Sequence, residues 1–342
     1  MVKSNSVDIE NATSLRNYLL SKDRITAKDN VVSQLLRGGV SNKTVLVHIN
    51  ENSFVMKQGL SKLRVPSDWY SNPARIAREA MGMQALKIIL PPEQVTSLIF
   101  LDDQENILMM SAVPTPHENF KALLLKGGDQ HALIQKMARM LSTIHQGTWQ
   151  NHEIAREFDN TDFFHELRID PYFRFCMQKF PEFAPWFQRN ILDQLAIKNC
   201  LVHGDFSPKN ILVYQNELVL LDHEVIHFGD FAFDFGFILT HLFLKSVHLK
   251  SEKFLDDSLA FAKTYFHEMK NYLFKEDQNR AMHYFLACLL ARVAGKSKTD
   301  YLGSELEEKI KIALAKIILK EEIPNLEMVR QLFLITGKNE QS

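Results

Sequence analysis

One part of this 342-residue chain constrains its fold and its chemistry more than any other. Residues 202–213 read VHGDFSPKNILV, and residues 220–224 read LLDHE. The pattern predicts a loop, a hairpin strand and a return strand, which carry Asp205, Asn210 and Asp222. In phosphoryl transfer from a nucleotide, one carboxylate accepts the proton of the acceptor hydroxyl, while an amide oxygen and a second carboxylate hold magnesium. The motif therefore predicts Asp205 as a catalytic residue, with Asn210 and Asp222 as magnesium ligands.

Composition narrows the class of protein. The formal net charge is -1, which argues against a protein that coats nucleic acid or an anionic membrane. The three cysteines, Cys176, Cys200 and Cys288, lack the spacing of a zinc site and are too few for a disulfide framework. The segment Met1–Glu10 lacks the apolar core of a signal peptide, and no apolar run has the length of a membrane span. We therefore expect a cytoplasmic protein that binds neither nucleic acid nor membrane.

The first third of the chain predicts a small lobe of five antiparallel strands around one helix. Apolar residues that alternate with polar ones, bounded by turns, indicate the strands, and apolar spacing with a period near 3.6 indicates the helix. Val113–Pro116 is the predicted connector to the rest of the chain. A short capped helix is predicted at 11–21 and the main helix at 73–87. An apolar segment before the turn at 34–42 is followed by strands predicted at 43–49, 53–57, 95–101 and 106–111.

The remainder of the chain is predicted to be mostly helical, broken only by the hairpin of the opening motif. Residues 158–174 include Asp162, His165, Arg168 and Asp170, which either line an acceptor pocket or form a charged rim around a helical core. We prefer the rim for most of them. Beyond Leu302, the apolar period of Ile310, Leu314, Ile317 and Leu319 fits packing on the large lobe or a homodimer contact, and packing is preferred.

The predicted small lobe also contains groups that suit a nucleotide. Gly38 and Gly39 allow backbone amides to approach a phosphate, and Ser41 and Asn42 add short polar groups to the same turn. An ordinary hairpin turn is the alternative for these four residues. By themselves these four residues do not distinguish the two interpretations. A contact with the nucleotide is predicted because other residues of the same lobe also suit a nucleotide.

Lys57 and Glu79 complete the predicted nucleotide site. Lys57 ends a strand and would provide a cation for the first two phosphates, and Glu79 in the next helix would orient it as an ion pair. A lysine that faces solvent and a solvated helix face are the alternatives. The order of turn, strand lysine, helix glutamate, connector and His-Gly-Asp loop favours the functional interpretation of all of them together.

These segments together resemble the aminoglycoside phosphotransferase and choline kinase superfamily, from about Leu35 to about Leu302. The match includes the catalytic loop from His203 to Asn210, the metal-binding Asp222 and the Gly-Asp-Phe-Ala-Phe-Asp segment 229–234. That segment has Phe231 where the superfamily signature has proline. The resemblance implies an α+β, protein-kinase-like bilobal fold, with a small antiparallel-sheet N-terminal nucleotide-binding lobe at 1–112 and a mainly helical catalytic and substrate-binding lobe at 113–342.

Within the superfamily, the local resemblance is to 5-methylthioribose kinase. It lies in the segments 36–42, 54–58 and 63–64. The catalytic loop departs from the pattern of that enzyme at 206–210. The adjacent arginine pair that grips its substrate is represented here by Arg292 alone.

The resemblance implies a role for each site residue. Asp205 would position and deprotonate the attacking hydroxyl, and Asn210 and Asp222 would hold Mg²⁺ on the phosphates of ATP, with GTP as an alternative nucleotide. Met110 and Ala112, in the connector 109–113, would pair with the adenine, and Arg292 would contact the acceptor. His203 and Asp234 would brace the catalytic loop, and Glu224 would assist the second metal ion or be a surface carboxylate.

The expected function is that of an ATP- and magnesium-dependent kinase that phosphorylates a hydroxyl of a small molecule. A sugar, an amino sugar or an amino alcohol is the expected acceptor, with methylthioribose the most specific candidate. Two alternatives are an inactive kinase-fold protein that only binds nucleotide and a protein kinase. The retained Asp205, Asn210 and Asp222 argue against the first. The sequence Asp222-His223-Glu224 in place of Asp-Phe-Gly, and the lack of an Ala-Pro-Glu segment, argue against the second.

Overall fold

A computed structural model describes residues 7–36, 39–66 and 68–337 of the chain. The chain divides into two compact units. The first unit is Met1–Thr115 together with Asp222–Glu224, and the second is Pro116–Leu221 together with Val225–Ser342. The short segment 222–224, which contains the predicted metal ligand Asp222, is therefore part of the first unit although it follows a hairpin of the second.

The first unit is built on one antiparallel sheet with two apolar faces. Because successive side chains of a strand point to opposite faces, Met109 packs with the N-terminal helix, whereas Leu108 and Met110 pack with the second helix. The strands lie in the order β1-β2-β3-β5-β4. The elements are α1 (Ala12–Ser21), β1 (Val31–Leu35), β2 (Asn42–Ile49), β3 (Asn52–Gly59), α2 (Arg75–Ile89), β4 (Leu98–Asp102) and β5 (Ile107–Ser111).

The predicted elements of this unit are confirmed, but several of their bounds differ by a few residues, most at the start of the fourth strand. The fourth strand was expected to begin at Val95, but β4 begins at Leu98. Pro91 precedes a single 3₁₀ turn at Pro92–Gln94, and the register of β4 against β5 shifts between Leu98 and Phe100. The prolines and this irregularity delay regular pairing, because proline fixes φ and cannot donate to a sheet ladder.

The second unit is mainly helical. Its central helix α9 is hydrophobic on all sides and is buried from Phe231 to Val247, mainly against α10 and α11. The α-helices are α3 (Phe120–Leu125), α4 (His131–Thr148), α5 (His152–Glu157), α6 (Asp162–Phe164), α7 (Phe175–Lys179), α8 (Ala184–Asn190), α9 (Phe231–His248), α10 (Glu252–Glu268), α11 (Lys275–Ala294), α12 (Ser304–Leu319) and α13 (Leu326–Gly337), and a π-helical segment at His165–Arg174 joins α6 to α7. None of the described helices is both long enough and apolar enough to cross a membrane.

The predicted hairpin is confirmed, and three short strands were missed. Strands β8 (Ile211–Tyr214) and β9 (Glu217–Leu220) pair through a two-residue turn at Gln215 and Asn216, both of which have positive φ as a type I′ turn requires. The expectation that only this hairpin interrupts the helices is wrong. The additional strands are β6 (Glu118–Asn119), β7 (Cys200–Val202) and β10 (His227–Gly229), which are too short to produce a periodic sequence signal.

The C-terminal helices pack within the second unit, as preferred from the sequence. Ile310 and Leu314 of α12 are fully buried. Leu319, however, is exposed, and Ile318 is buried in its place. The predicted apolar face of α12 was therefore correct at its start and wrong at its last position.

Candidate active site

The loop after β7 is held by the first turn of α9. The carboxylate of Asp234 accepts hydrogen bonds from the backbone amides of His203 (2.6 Å) and Gly204 (2.9 Å). The His203 ring accepts the amide hydrogen of Asp205 at Nδ1 (3.2 Å) and lies 3.2 Å from the Leu221 carbonyl at Nε2. These bonds confirm the predicted bracing roles of His203 and Asp234. They fix the backbone on both sides of Gly204 and so position Asp205.

Gly204 is required by this loop, which gives a direct test of the bracing. Its φ is +75°, and an added Cβ would lie 2.9 Å from the Val225 carbonyl oxygen. We expect Gly204→Ala to lower the free energy of unfolding by about 1–3 kcal/mol, because a left-handed backbone and a close contact would be imposed together. Urea unfolding measures the effect. The control is Gly303→Ala, where a Cβ meets nothing within 4 Å and only the poorer N-cap of α12 should lower stability, by less than about 1 kcal/mol.

The Asp205 carboxylate lies between two cations. Its Oδ1 is 2.8 Å from an Arg168 guanidinium nitrogen, and its Oδ2 is 2.9 Å from Lys209 Nζ. Arg168 also donates through Nε to the Gly204 carbonyl at 2.8 Å. Both cations favour the ionised carboxylate, the form that can accept a proton. Arg168 is buried, which does not fit the charged rim preferred for most of residues 158–174, whereas Lys209 is half exposed and can move away from Asp205.

Asn210 is oriented by Asp205. Its amide nitrogen donates to the Asp205 side chain at 2.8 Å and to the Asp205 carbonyl at 3.0 Å. Among the residues that the structure describes, none donates a hydrogen bond to the Asn210 side-chain oxygen. Asn210 ends the 3₁₀ turn Pro208–Asn210, and its carbonyl accepts from Leu221 at the end of β9. The Asn210 oxygen is therefore available to a cation.

In the first unit, Lys57 on β3 connects two carboxylates. Its Nζ is 2.6 Å from Glu79 on α2 and 2.8 Å from Asp222. Burial alone would lower the pKa of Lys57, but Asp222, Glu79 and Glu224 together raise it above its ordinary value. Burial raises the pKa of Glu79, and the Lys57 charge offsets part of that increase. The predicted ion pair is therefore formed, and Lys57 carries its charge at neutral pH.

Asp222 adopts an uncommon backbone conformation. Its φ is +69°, in the left-handed region, which aspartate tolerates better than most residues. Such conformations cost free energy and concentrate at functional positions. The conformation occurs at the residue that pairs with Lys57.

Arg75, at the start of α2, is a site residue that sequence reasoning missed. It is fully buried and donates through Nε to Glu224 at 3.0 Å. The same guanidinium donates to the Ser41 carbonyl and lies 3.3 Å from the Asn42 side-chain oxygen, while Asn42 Nδ2 donates to Glu224 at 2.9 Å. Glu224 is therefore buried in an internal network, and the alternative of a surface carboxylate is wrong. Arg75 fixes the turn that the sequence assigned to the nucleotide.

The other predicted nucleotide contacts lie on β5 and on the turn before β2. Met110 is buried within β5, and the amide of Ala112 donates to the Ser53 carbonyl at 3.2 Å. Gly39 is exposed, and a Cβ there would meet nothing within 4 Å. Gly38 lies outside the described residues. No group of three or more His, Cys, Asp and Glu side chains among the described residues is arranged to hold a metal ion.

Arg292, the predicted acceptor contact, lies near the end of α11. Its guanidinium donates to the Tyr172 hydroxyl at 3.2 Å and to the Ser297 hydroxyl at 2.8 Å. Tyr172 also lies under Arg168, whose guanidinium carbon is 5.8 Å from the ring centroid. Arg292 is thereby connected to Asp205 through Tyr172 and Arg168.

These features define a protein-kinase-like fold with the catalytic-loop residues of a phosphotransferase. The model of the family described as "Phosphotransferase enzyme family" matches residues 33–269, so the chain belongs to that family. A methylthioribose kinase of Bacillus cereus (strain G9842) is 23% identical over 260 residues, which are 66% of this chain and 64% of that relative. The chain thus spans less than two thirds of the length of this curated relative.

Solved structures show the same fold. APH(2")-IIa in a ternary complex with streptomycin and ATP superposes with a TM-score of 0.50 at 16% identity, covering 96% of this chain and 99% of that one. An ethanolamine kinase of Plasmodium vivax gives 0.52 at 13% identity, covering 96% and 90%. The α+β, protein-kinase-like fold expected from the sequence is confirmed.

Proposed function

We propose that this protein is an ATP- and magnesium-dependent phosphotransferase that phosphorylates a hydroxyl of a small molecule. The observation that carries the proposal is the arrangement of Asp205 and Asn210. The Asn210 amide nitrogen is bonded to the Asp205 carboxylate at 2.8 Å, and its oxygen faces no donor from the described residues. One side chain is thus prepared to accept a proton and the other to hold a cation, as phosphoryl transfer requires.

The residues present fit a magnesium ion. Mg²⁺ prefers oxygen ligands and is usually bound by one or two carboxylates together with substrate phosphates, so a cluster of three carboxylates is not needed. Asn210 of the second unit offers an amide oxygen and Asp222 of the first unit a carboxylate, and each is a kind of ligand that Mg²⁺ accepts. Bound magnesium would neutralise charge on the transferring phosphate. Lys57, oriented by Glu79, would supply a further positive charge to the nucleotide phosphates.

Asp205 would accept the hydrogen bond of the acceptor hydroxyl and take its proton as the phosphate is transferred. Arg168 would keep the carboxylate in position, because it bonds both Asp205 and the Gly204 carbonyl. The Lys209 ammonium group would move away from the Asp205 carboxylate when the acceptor hydroxyl binds there. Sugars, amino sugars and amino alcohols are acceptors of this chemical type, and methylthioribose is the specific candidate that the Bacillus cereus relative suggests.

Acceptor-dependent release of ADP tests the proposal. Purified protein, Mg²⁺ and ATP are incubated with methylthioribose, other pentoses, aminoglycosides, choline and homoserine, one at a time. We expect release above the acceptor-free rate for at least one compound and its loss when EDTA removes the metal. Tight ATP binding without release in the presence of any acceptor would instead favour a nucleotide-binding protein without catalysis.

A further inference from the structure

The second unit contains a group of basic side chains that the proposed reaction does not use. We call Lys121, His241, Lys245 and Arg292 the basic cluster. Lys245 and His241 lie one turn apart on α9 and are almost completely buried. Lys245 Nζ is 5.3 Å from the Tyr301 ring centroid, and Lys121 Nζ is 5.5 Å from the same centroid. Two members of the cluster therefore lie against the Tyr301 ring.

The positive charge of the basic cluster is only partly balanced by its neighbours. Lys121 pairs with Asp300 at 2.8 Å. Among the described residues, neither Lys245 nor Arg292 forms an ion pair with a carboxylate: Lys245 donates to the His241 carbonyl at 3.1 Å, and Arg292 to hydroxyl and carbonyl oxygens. Buried charges are normally paired, because removing them from water is costly. An anion at this place would provide the missing partner.

The pKa values of the cluster reflect this imbalance. Burial, with Lys121 and Arg292 close by, lowers the pKa of Lys245 to about 7. Burial also lowers the pKa of His241 well below its usual value, and the charges of Arg292, Lys245, Lys209 and Lys121 lower it further. An anion beside Lys245 would favour its charged form and so would bind more tightly to it.

Several polar atoms around the basic cluster lack a hydrogen-bond partner. In the described part of the chain, His241 Nε2, Arg292 Nε, Thr299 Oγ1 and the Tyr301 hydroxyl are buried without one. Buried polar atoms in folded proteins almost always have a partner, which is often a water molecule or a ligand where no protein atom serves. The arginine and hydroxyl groups can all donate, and the oxygens of an anion would accept from them.

The basic cluster is connected to Asp205 by side chains in contact. Arg168, which pairs with Asp205, lies 5.8 Å from the ring centroids of both Tyr172 and Phe237. Tyr172 bonds Arg292, and the Phe237 ring is 4.7 Å from the His241 ring in an edge-to-face contact. Two layers of side chains thus separate the catalytic carboxylate from the basic cluster. A small molecule that contacted both places would need a hydroxyl at one end and an anionic group at the other.

We propose that the acceptor carries an anionic group, a carboxylate or a phosphate, which Lys245 and Arg292 bind while Asp205 receives its hydroxyl. This inference rests on the proposed function, and it replaces the uncharged and cationic acceptors named there by anionic ones. Cationic acceptors such as choline and aminoglycosides would meet charges of their own sign, which suppresses binding. Uncharged methylthioribose would leave the charges of the cluster unpaired. The expected acceptor is a hydroxy acid or a sugar phosphate.

Direct binding tests the anion site without catalysis. Inorganic phosphate and acetate are titrated into the protein with Mg²⁺ and a non-hydrolysable ATP analogue, and heat is recorded. We expect saturable binding of at least one anion, weakened about tenfold or more by Lys245→Met and by Arg292→Met, since each removes a charged contact. Lys253→Met and Arg330→Met, which remove exposed charges on α10 and α13, should bind as the wild type does. No binding to the wild-type protein, or equal binding by all variants, overturns the proposal.

Turnover of matched pentoses tests the identity of the anion. Ribose 5-phosphate, ribonate and methylthioribose present a phosphate, a carboxylate and no charge on related skeletons. We expect one anionic compound to exceed methylthioribose and choline in kcat/KM by about tenfold or more, the scale of one charged contact. Faster turnover of methylthioribose or choline would overturn the anionic acceptor and leave the phosphotransferase intact. Anion binding without turnover of any compound would retain the anion site and count against the proposed function.

Discussion

Replacing Asp205 by Asn is expected to lower kcat by about 10²–10⁴-fold, the usual contribution of a positioned general base. The amide keeps the shape of the side chain and can still bond Asn210, but it cannot take a proton from the acceptor. The dissociation constant of ATP should change by no more than about twofold, because Asp205 is not proposed to hold the metal. Steady-state turnover and equilibrium nucleotide binding measure the two effects on the same preparation.

The control for this substitution is another buried carboxylate of the same unit. Asp257 on α10 is buried and lies 2.7 Å from His131 Nδ1. Asp257→Asn should leave kcat near the wild-type value, whatever it does to stability. Near-wild-type kcat in Asp205→Asn would remove Asp205 from its proposed role. Thermal unfolding of both variants separates a loss of folding from a loss of chemistry.

The second large effect is expected at Lys57. Lys57→Met removes the cation that pairs with Glu79 at 2.6 Å and Asp222 at 2.8 Å. Removing one partner of a buried ion pair leaves an uncompensated charge, so the free energy of unfolding should fall by about 3–5 kcal/mol at about pH 8. The Lys57→Met, Glu79→Gln double variant should regain much of this loss. Glu79→Gln alone should cost less than Lys57→Met, because Lys57 retains Asp222.

The pH dependence of Lys57→Met checks the cause. Burial raises the pKa of Glu79 above its unfolded value, and without Lys57 less opposes that increase. A raised folded-state pKa means that the folded protein takes up a proton more readily than the unfolded chain, so stability is lost as the pH rises through the folded pKa. The deficit relative to wild type should therefore shrink as the pH falls from about 8 to about 6. A deficit that is constant with pH, or equal in the single and double variants, would contradict the ion-pair account.

Local sequence signals were sufficient for the part of the site that is continuous in the chain. The loop from His203 to Asn210 and the hairpin after it depend on glycine, proline and alternating apolar residues over a few positions, and these were interpreted correctly. Asp234 was recognised because the segment 229–234 resembles the superfamily signature. The order of Lys57 and Glu79 also predicted their ion pair correctly.

Residues that act across long sequence separations could not be found in this way. Arg75 contacts Glu224 from 149 positions away, and Arg168 contacts Gly204 from 36 positions away. Nothing in the sequence around either arginine distinguishes a buried partner from a solvated one. The environment of His241 could not be predicted either, since its unpaired nitrogen and its cationic neighbours arise from the packing of α9 against other elements.

Transfer of labelled phosphate tests the central claim most directly. The protein is incubated with Mg²⁺ and ATP labelled at the γ-phosphate, once with a mixture of small metabolites and once with mixed protein. We expect label in a small-molecule fraction, and this label should depend on Mg²⁺ and be lost in Asp205→Asn. Label that enters only protein, or that is transferred to no acceptor in either mixture, would contradict it.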